Sequence, residues 1–179
     1  KVQELQMTTT DGNNTYVVAV KGNFDDCQSA VKEIFADKDF KEILANKGYE
    51  LSSANSINWG RLLPQIVYYF AAYLQLVRNN EIAPGEKINF VVPTGNFGNI
   101  LAGWYAQKMG LPVNRLICAS NENKVLTDFF NTGIYDQNRE FKQTNSPSMD
   151  ILISSNLERF LFEITNHDGE KINQWMTEL

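Results

Sequence analysis

The chain has 179 residues, 43% of them hydrophobic and 12% aromatic, which is enough apolar material for a sizeable core and too much for a disordered segment. Its 16 Lys and Arg are scattered among 21 Asp and Glu, for a net charge of −5, so the concentrated basic face of a nucleic-acid binder is excluded. The longest uncharged apolar run, "LLPQIVYYFAAYLQLV", contains Pro64, Gln65 and Gln75 and reads as a buried helix rather than a membrane span.

The chain opens on a helix-like "KVQELQM" without a signal-peptide pattern, and its start at Lys1 reads as a cut. Residues 15–20, "TYVVAV", are rich in β-branched side chains and follow the turn-like "DGNN", so a short strand is expected. "GNFDDCQSAVKEIFADKDFKEILA" reads as one helical region, with Cys27, Val31, Ile34 and Phe35 on a common face and Gly48 closing it. Proline is tolerated in the first helical turn, so Pro64 places the next helix start near Leu62 or Leu63. "INFVVP" is an almost unbroken apolar run, the pattern of a central parallel strand buried on both faces. "NILAGWYAQKMG" follows as a helix capped by Gly110, with Pro112 just beyond. "NRLICAS" is a strand, and "NKVLTDFFNTG" a helix closed by Gly133. After a polar loop at 135–150, "DILISS" and "NLERFLFEITN" give a last strand and helix. Three strand–turn–helix units in succession predict an α/β fold: three layers, with a parallel sheet flanked by helices.

Several chemistries find no support. Cys27 and Cys118 are isolated, as expected of buried thiols in a reducing cytoplasm. The single histidine, His167, sits in a polar "TNHDGE" turn and reads as a surface residue, and a zinc site is not expected. Trp59, Trp104, Tyr68, Tyr69, Phe70 and Tyr73 read as core or helix-packing residues. Asp150 and Glu158 have no evident carboxylate partner for acid–base work.

The informative stretch is "VVPTGNFGNILAGW". Gly95 and Gly98 lie between a strand and a helix, where the first amides of the helix lack intrahelical partners and its dipole favours negative charge. Gly95 to Asn99 could therefore cradle a phosphate, and a side chain at Gly98 would then intrude where the anion sits. The same glycines could equally serve a tight connection with close helix–strand packing. No lysine follows in the Walker A manner, and the GxGxxG dinucleotide pattern is absent.

"PTGNFGNILAGWYAQKMGLPVNRLICASNEN" resembles the phosphate-binding segment of threonine synthases, pyridoxal-phosphate enzymes of the tryptophan-synthase-β fold type. "GNFDDCQSAVKEIFAD", "SSANSINWGRLLPQIVYYF" and "NSPSMDILISSNLERFLFE" resemble the same family, in the same order. The resemblance implies a partial fold-type II enzyme. Residues 1–50 would come from its smaller subdomain and 51–179 from the central part of its larger cofactor-binding domain, together one compact fragment. It implies the cofactor pyridoxal 5'-phosphate, held by Thr94, Gly95, Asn96, Phe97, Gly98 and Asn99. It implies the substrate O-phosphohomoserine, contacted by Ser53, Asn55, Ser56, Asn58 and Arg61. For that second segment, helix capping by Ser56 or Asn58 and a surface Arg61 form an equally plain reading.

The family's Schiff-base lysine lies in an N-terminal motif that this sequence does not contain, and no lysine present stands in a matching context. No catalytic residue is therefore assigned. The expectation is a cytoplasmic threonine synthase fragment, inactive alone, that binds neither nucleic acid nor membrane and exposes apolar surface prone to self-association. A threonine dehydratase or O-acetylserine sulfhydrylase relative, or a non-catalytic phosphometabolite-binding module, are the competing readings.

Overall fold

The computed structural model describes residues 2–9, 12–22 and 24–177. Lys1 and Asn23, which belong to expected helices, and Asp11 of the expected turn lie outside the described residues. In chain order the elements are α1 (Val2–Met7), α2 (Phe24–Ala36), α3 (Lys38–Ala45), α4 (Trp59–Leu62), α5 (Ile66–Arg78), β1 (Ile88–Pro93), α6 (Gly98–Lys108), β2 (Val113–Ala119), α7 (Val125–Thr132), α8 (Leu157–Ile164) and α9 (Gly169–Thr177).

The α/β character holds, and the sheet is smaller than expected. Strands β1 and β2 pair in parallel, with Phe90 opposite Leu116 and Val92 opposite Cys118. Helix α6 is their crossover. The pairing extends past β1, where Thr94 N–H donates to Ala119 O at 2.8 Å. The core gathers Leu62, Ile66, Tyr69 and Tyr73 from α4 and α5 against Ile100, Leu101, Ala102 and Ala106 of α6, with Val125, Leu126 and Leu157 from α7 and α8. Tyr69 donates its hydroxyl to Asn99 O at 2.8 Å, tying α5 to the first turn of α6.

Two expected strands are absent from the described residues. "TYVVAV" forms no strand, and Tyr16 is 86% exposed, with Val17, Val18 and Val20 also outward. A β-branched run needs a neighbouring ladder to become a strand, and none reaches it. "DILISS" forms turns instead, because Asp150 is pinned within a hydrogen-bonded network and Ile151 turns inward against Gly95. Nor is "INFVVP" buried on both faces. Its burial alternates, and Val91 is 64% exposed, as in a sheet covered on one side only.

The helical region from 24 to 45 is two helices. Asp37 breaks it by turning extended and accepting from Phe40 N–H at 2.9 Å, an N-cap for α3. The expected apolar face is not buried: Val31 and Ile34 are exposed, and Cys27 and Phe35 half-buried. Near Pro64 the chain makes one α-turn, α4, then a 3-10 turn at Leu63–Gln65, and the regular helix begins only at Ile66. Tyr69 and Tyr73 are buried as expected, whereas Trp59 and Tyr68 are exposed. The expected stops at Gly48, Gly110 and Gly133 are all left-handed residues that follow helix ends.

Candidate phosphate-binding site

The site begins where β1 ends. Thr94 is buried and its hydroxyl donates to Val92 O at 2.9 Å, which anchors the loop to the strand it leaves. Gly95 is buried with no space for a side chain, since a Cβ there would lie 2.7 Å from Cδ1 of Ile151. Phe97 then adopts φ 63°, a left-handed conformation costly for a bulky residue. Its ring is held between Phe130 and Phe160, with centroids 5.7 and 5.3 Å away, and these contacts offset the strain. The turn at Phe97 launches α6, so successive amides emerge at the carboxyl edge of the sheet. From Gly95 to Asn99, only the Gly98 amide has an acceptor among the described residues, Asn96 Oδ1 at 3.2 Å.

The Ser53–Asn58 segment is brought to this loop, and Ser56 makes the contact. Its Oγ accepts from Asn96 Nδ2 at 3.0 Å and from Asn156 Nδ2 at 3.1 Å. A Cβ on Gly98 would lie 2.5 Å from Ser56 Oγ and 2.8 Å from Ser56 Cβ. Gly98 therefore lacks a side chain because Ser56 occupies that space; the expected intrusion on an anion is not what the geometry shows.

The rest of the segment is occupied locally. Ser53 Oγ accepts from Asn55 N–H and Asn55 Oδ1 from Ile57 N–H, both at 3.1 Å. Asn58 Oδ1 accepts from Gly60 N–H at 2.9 Å, the cap of α4, while its Nδ2 donates to Ser53 O at 3.0 Å. The capping reading thus holds for Asn58 and not for Ser56. Arg61 is exposed and donates from Nε to Ala54 O at 3.1 Å, with no bond to the glycine loop among the described residues.

Two residues that join these segments were not singled out in the sequence. Asn156 is completely buried, and both its N–H, at 3.0 Å, and its Nδ2, at 3.1 Å, donate to Asn96 O. Arg159, one helical turn on, donates to Ser56 O at 2.9 Å, to Asn156 Oδ1 at 2.6 Å and to Ile57 O. Only their position in "SSNLERF", inside a resembling motif, hinted at them.

The next strand end is built from polar groups as well. Asp150, 2% exposed, accepts from Asn121 Nδ2 at 2.7 Å, Asn123 Nδ2 at 3.0 Å, and Thr144 Oγ1 and N–H at 2.7 and 2.9 Å. These bonds fasten the 135–150 loop beneath β2 and fix the turn that carries Ile151 and Asn156. Cys118, half-buried in β2, has its thiol pushed up by burial, so it is a poor nucleophile at neutral pH. His167 is exposed, stacked on Phe162 and 3.1 Å from Glu163 Oε2. No group of His, Cys, Asp or Glu among the described residues is placed to hold a metal.

A glycine turn that presents unpaired amides and a helix N-terminus at the carboxyl edge of a parallel sheet belongs to an α/β chain and is a geometry that suits an anion. Known proteins narrow that class. No family model matches the chain. It is 54% identical over 179 residues to threonine synthase-like 1 of Macaca fascicularis, covering 99% of this chain and 24% of that protein. It is 44% identical over 187 residues to threonine synthase of Saccharomyces cerevisiae, covering 99% of this chain and 35% of that one. A solved structure, PLP-bound threonine synthase from Brucella melitensis, matches with TM-score 0.78 at 45% identity, over 98% of this chain and 36% of the other. The chain spans about a quarter to a third of the length of these relatives, and over that span it is similar to part of each of them.

Proposed function

We propose that the chain is the phosphate-holding part of a threonine synthase that converts O-phosphohomoserine and water to threonine and phosphate. The observation that carries this is the row of amides from Gly95 to Asn99, largely without acceptors among the described residues, at the start of α6. Such a donor set fits the phosphate of pyridoxal phosphate, because main-chain amides and a helix dipole bind a dianion without a counter-charge nearby. When bound, that cofactor supplies an electron sink for chemistry at the substrate's Cα and Cβ. Thr94 anchors the cradle, and Asn96, through Ser56, sets its distance from the substrate segment. Ser53, Asn55, Ser56 and Asn58 shape that segment. Arg61, with its terminal guanidinium nitrogens free of bonds among the described residues, pairs with the substrate's phosphate or carboxylate.

The described lysines are all exposed, which agrees with covalent cofactor attachment outside residues 1–179. The chain alone binds and orients, and does not turn over. Residues 1–50 belong to the smaller subdomain and 51–179 to the larger one. A cytoplasmic setting fits the half-buried free thiols, and no helix among the described residues is long and apolar enough to cross a membrane.

The same amides, largely without acceptors among the described residues, also fit a second reading, a non-catalytic module that holds a phosphorylated metabolite. Titration with pyridoxal phosphate, then borohydride reduction and peptide mapping, tests both. The proposal expects saturable binding reversed by inorganic phosphate, with sparse labelling over many lysines. One stoichiometrically labelled lysine would overturn the assignment of the covalent site elsewhere. A phosphorylated metabolite displacing pyridoxal phosphate far more effectively than inorganic phosphate does would favour the second reading.

A further inference from the structure

Two segments 40 residues apart in the chain, Ser53–Asn58 and Thr94–Asn99, meet at Ser56 and Asn96, yet neither holds the other by backbone hydrogen bonds among the described residues. A third segment joins them. Arg159 on α8 reaches Ser56 O at 2.9 Å and also Ile57 O, gripping the first segment by its carbonyls. The same guanidinium donates to Asn156 Oδ1 at 2.6 Å, which fixes the Asn156 amide so that Nδ2 points to Ser56 Oγ and Asn96 O, both at 3.1 Å. Asn156 N–H adds a second bond to Asn96 O, at 3.0 Å. Arg159 has no carboxylate within ion-pair distance among the described residues, so its fork is spent on neutral acceptors. An amide side chain can be placed either way round, and a charged donor on its oxygen selects one orientation. Lysine could supply the charge but not the fork.

We propose that Arg159 is the positioning residue of the cradle: through Asn156 it sets the separation of the glycine loop from the Ser53–Asn58 segment, and hence the fit of a phosphorylated ligand spanning both. The proposal rests on the cradle reading for its ligand, but the clasp itself can be observed without one.

The experiment compares the chain with R159K and R159A by hydrogen exchange and by titration with pyridoxal phosphate, using circular dichroism to confirm folding. Three amides report the clasp directly: Asn156, bonded to Asn96 O, Gly98, bonded to Asn96 Oδ1, and Asn58, bonded to Asn55 O. In R159K these are expected to exchange faster, while amides of β1 and β2 are unchanged. Affinity for pyridoxal phosphate is expected to fall about tenfold, the loss of one charge-assisted hydrogen bond. Added guanidinium, at concentrations that leave the fold intact, is expected to restore affinity to R159A, which a general loss of packing would not permit. Should R159A fail to fold, R159K carries the comparison. Unchanged exchange at the three amides in R159K overturns the clasp, and so does wild-type affinity with altered exchange. If the unsubstituted chain shows no phosphate-competitive binding, the cradle reading falls, and the exchange result alone decides the clasp.

Discussion

Gly98 and Ser56 compete for one volume, and this can be measured as a coupling. In Gly98→Ala the new Cβ meets both Ser56 Oγ and Ser56 Cβ at less than van der Waals distance, and Ser56 Cβ, bonded to the backbone, cannot turn aside. The substitution is expected to cost about 1–3 kcal/mol, the range for overpacking a close-packed site. It also pushes the Ser53–Asn58 segment away from the loop, so affinity for pyridoxal phosphate falls with it. Ser56→Gly vacates the volume but leaves Asn96 Nδ2 and Asn156 Nδ2 each with one partner fewer. The two substitutions together should therefore be less destabilising than the sum of each alone, by about 0.5–3 kcal/mol. Urea denaturation of the four proteins reads this coupling. Strict additivity would mean that Ser56 is not what keeps residue 98 a glycine. Gly95 differs, because its nearest neighbour is the tip of the Ile151 side chain, which can turn aside, so Gly95→Ala should be the milder change.

At the level of elements, the sequence made legible what is local. The ends of α3, α6 and α7 at Gly48, Gly110 and Gly133 follow from glycine's access to left-handed backbone, whereas in the turn after β1 the left-handed residue is Phe97, and Gly95 and Gly98 are required by their close approach to Ile151 and Ser56. Strands were less legible, because a strand exists only with a partner: "TYVVAV" has the composition and lacks the ladder. The loop motif and the Ser53–Asn58 segment could be read off as motifs, but not the reason they meet. That reason is a buried asparagine and an arginine about 100 residues further on, whose role depends entirely on tertiary contact. Helix α2 shows a further long-range tie with a pH signature. Asp25 Oδ2 accepts from Leu152 N–H at 3.2 Å while Oδ1 is buried without a partner. Burial raises its carboxyl above the ordinary value of 3.8, and the backbone bonds at Leu152 and Ile153 only partly oppose this. A folded-state value above the unfolded one means that the folded chain holds this proton more tightly. The contribution of Asp25 is thus most favourable at low pH and is lost as pH rises through the interval above 3.8. Asp25→Asn keeps an acceptor for Leu152 without the charge. The stability difference between variant and parent, from denaturation at a series of pH values, should grow in the variant's favour across that interval and level off above it. A difference that does not change with pH would mean that the carboxyl is not desolvated by the α2 contact.

For the whole molecule, the question is what covers its apolar surface. Two strands alone are marginal, and here the sheet is covered on one side, leaving Val91 outward and Ile117 42% exposed. Helix α5 contributes Val67 and Leu74, seven residues apart and so on one face, with Tyr68 beside them, all three about 60% exposed. Helices α2 and α3 add Val31, Ile34 and Ile43. Single exposed apolar residues are ordinary, but several faces at once exceed what a soluble monomer normally presents. The relatives are about three to four times longer than this chain, so the same faces have more protein available to them there. On its own the chain is expected to bury them against copies of itself. Sedimentation velocity over a range of concentrations should show a rising weight-average coefficient, and an apolar fluorescent dye should bind the dilute chain. Val67→Lys with Leu74→Lys places two like charges on the α5 face without touching the cradle or its clasp. That pair should lower both association and dye binding while leaving affinity for pyridoxal phosphate unchanged. If the parent chain stays monomeric at high concentration and binds no dye, these surfaces are compatible with water as they stand. The outward residues of α5 and β1 would then carry no driving force for assembly.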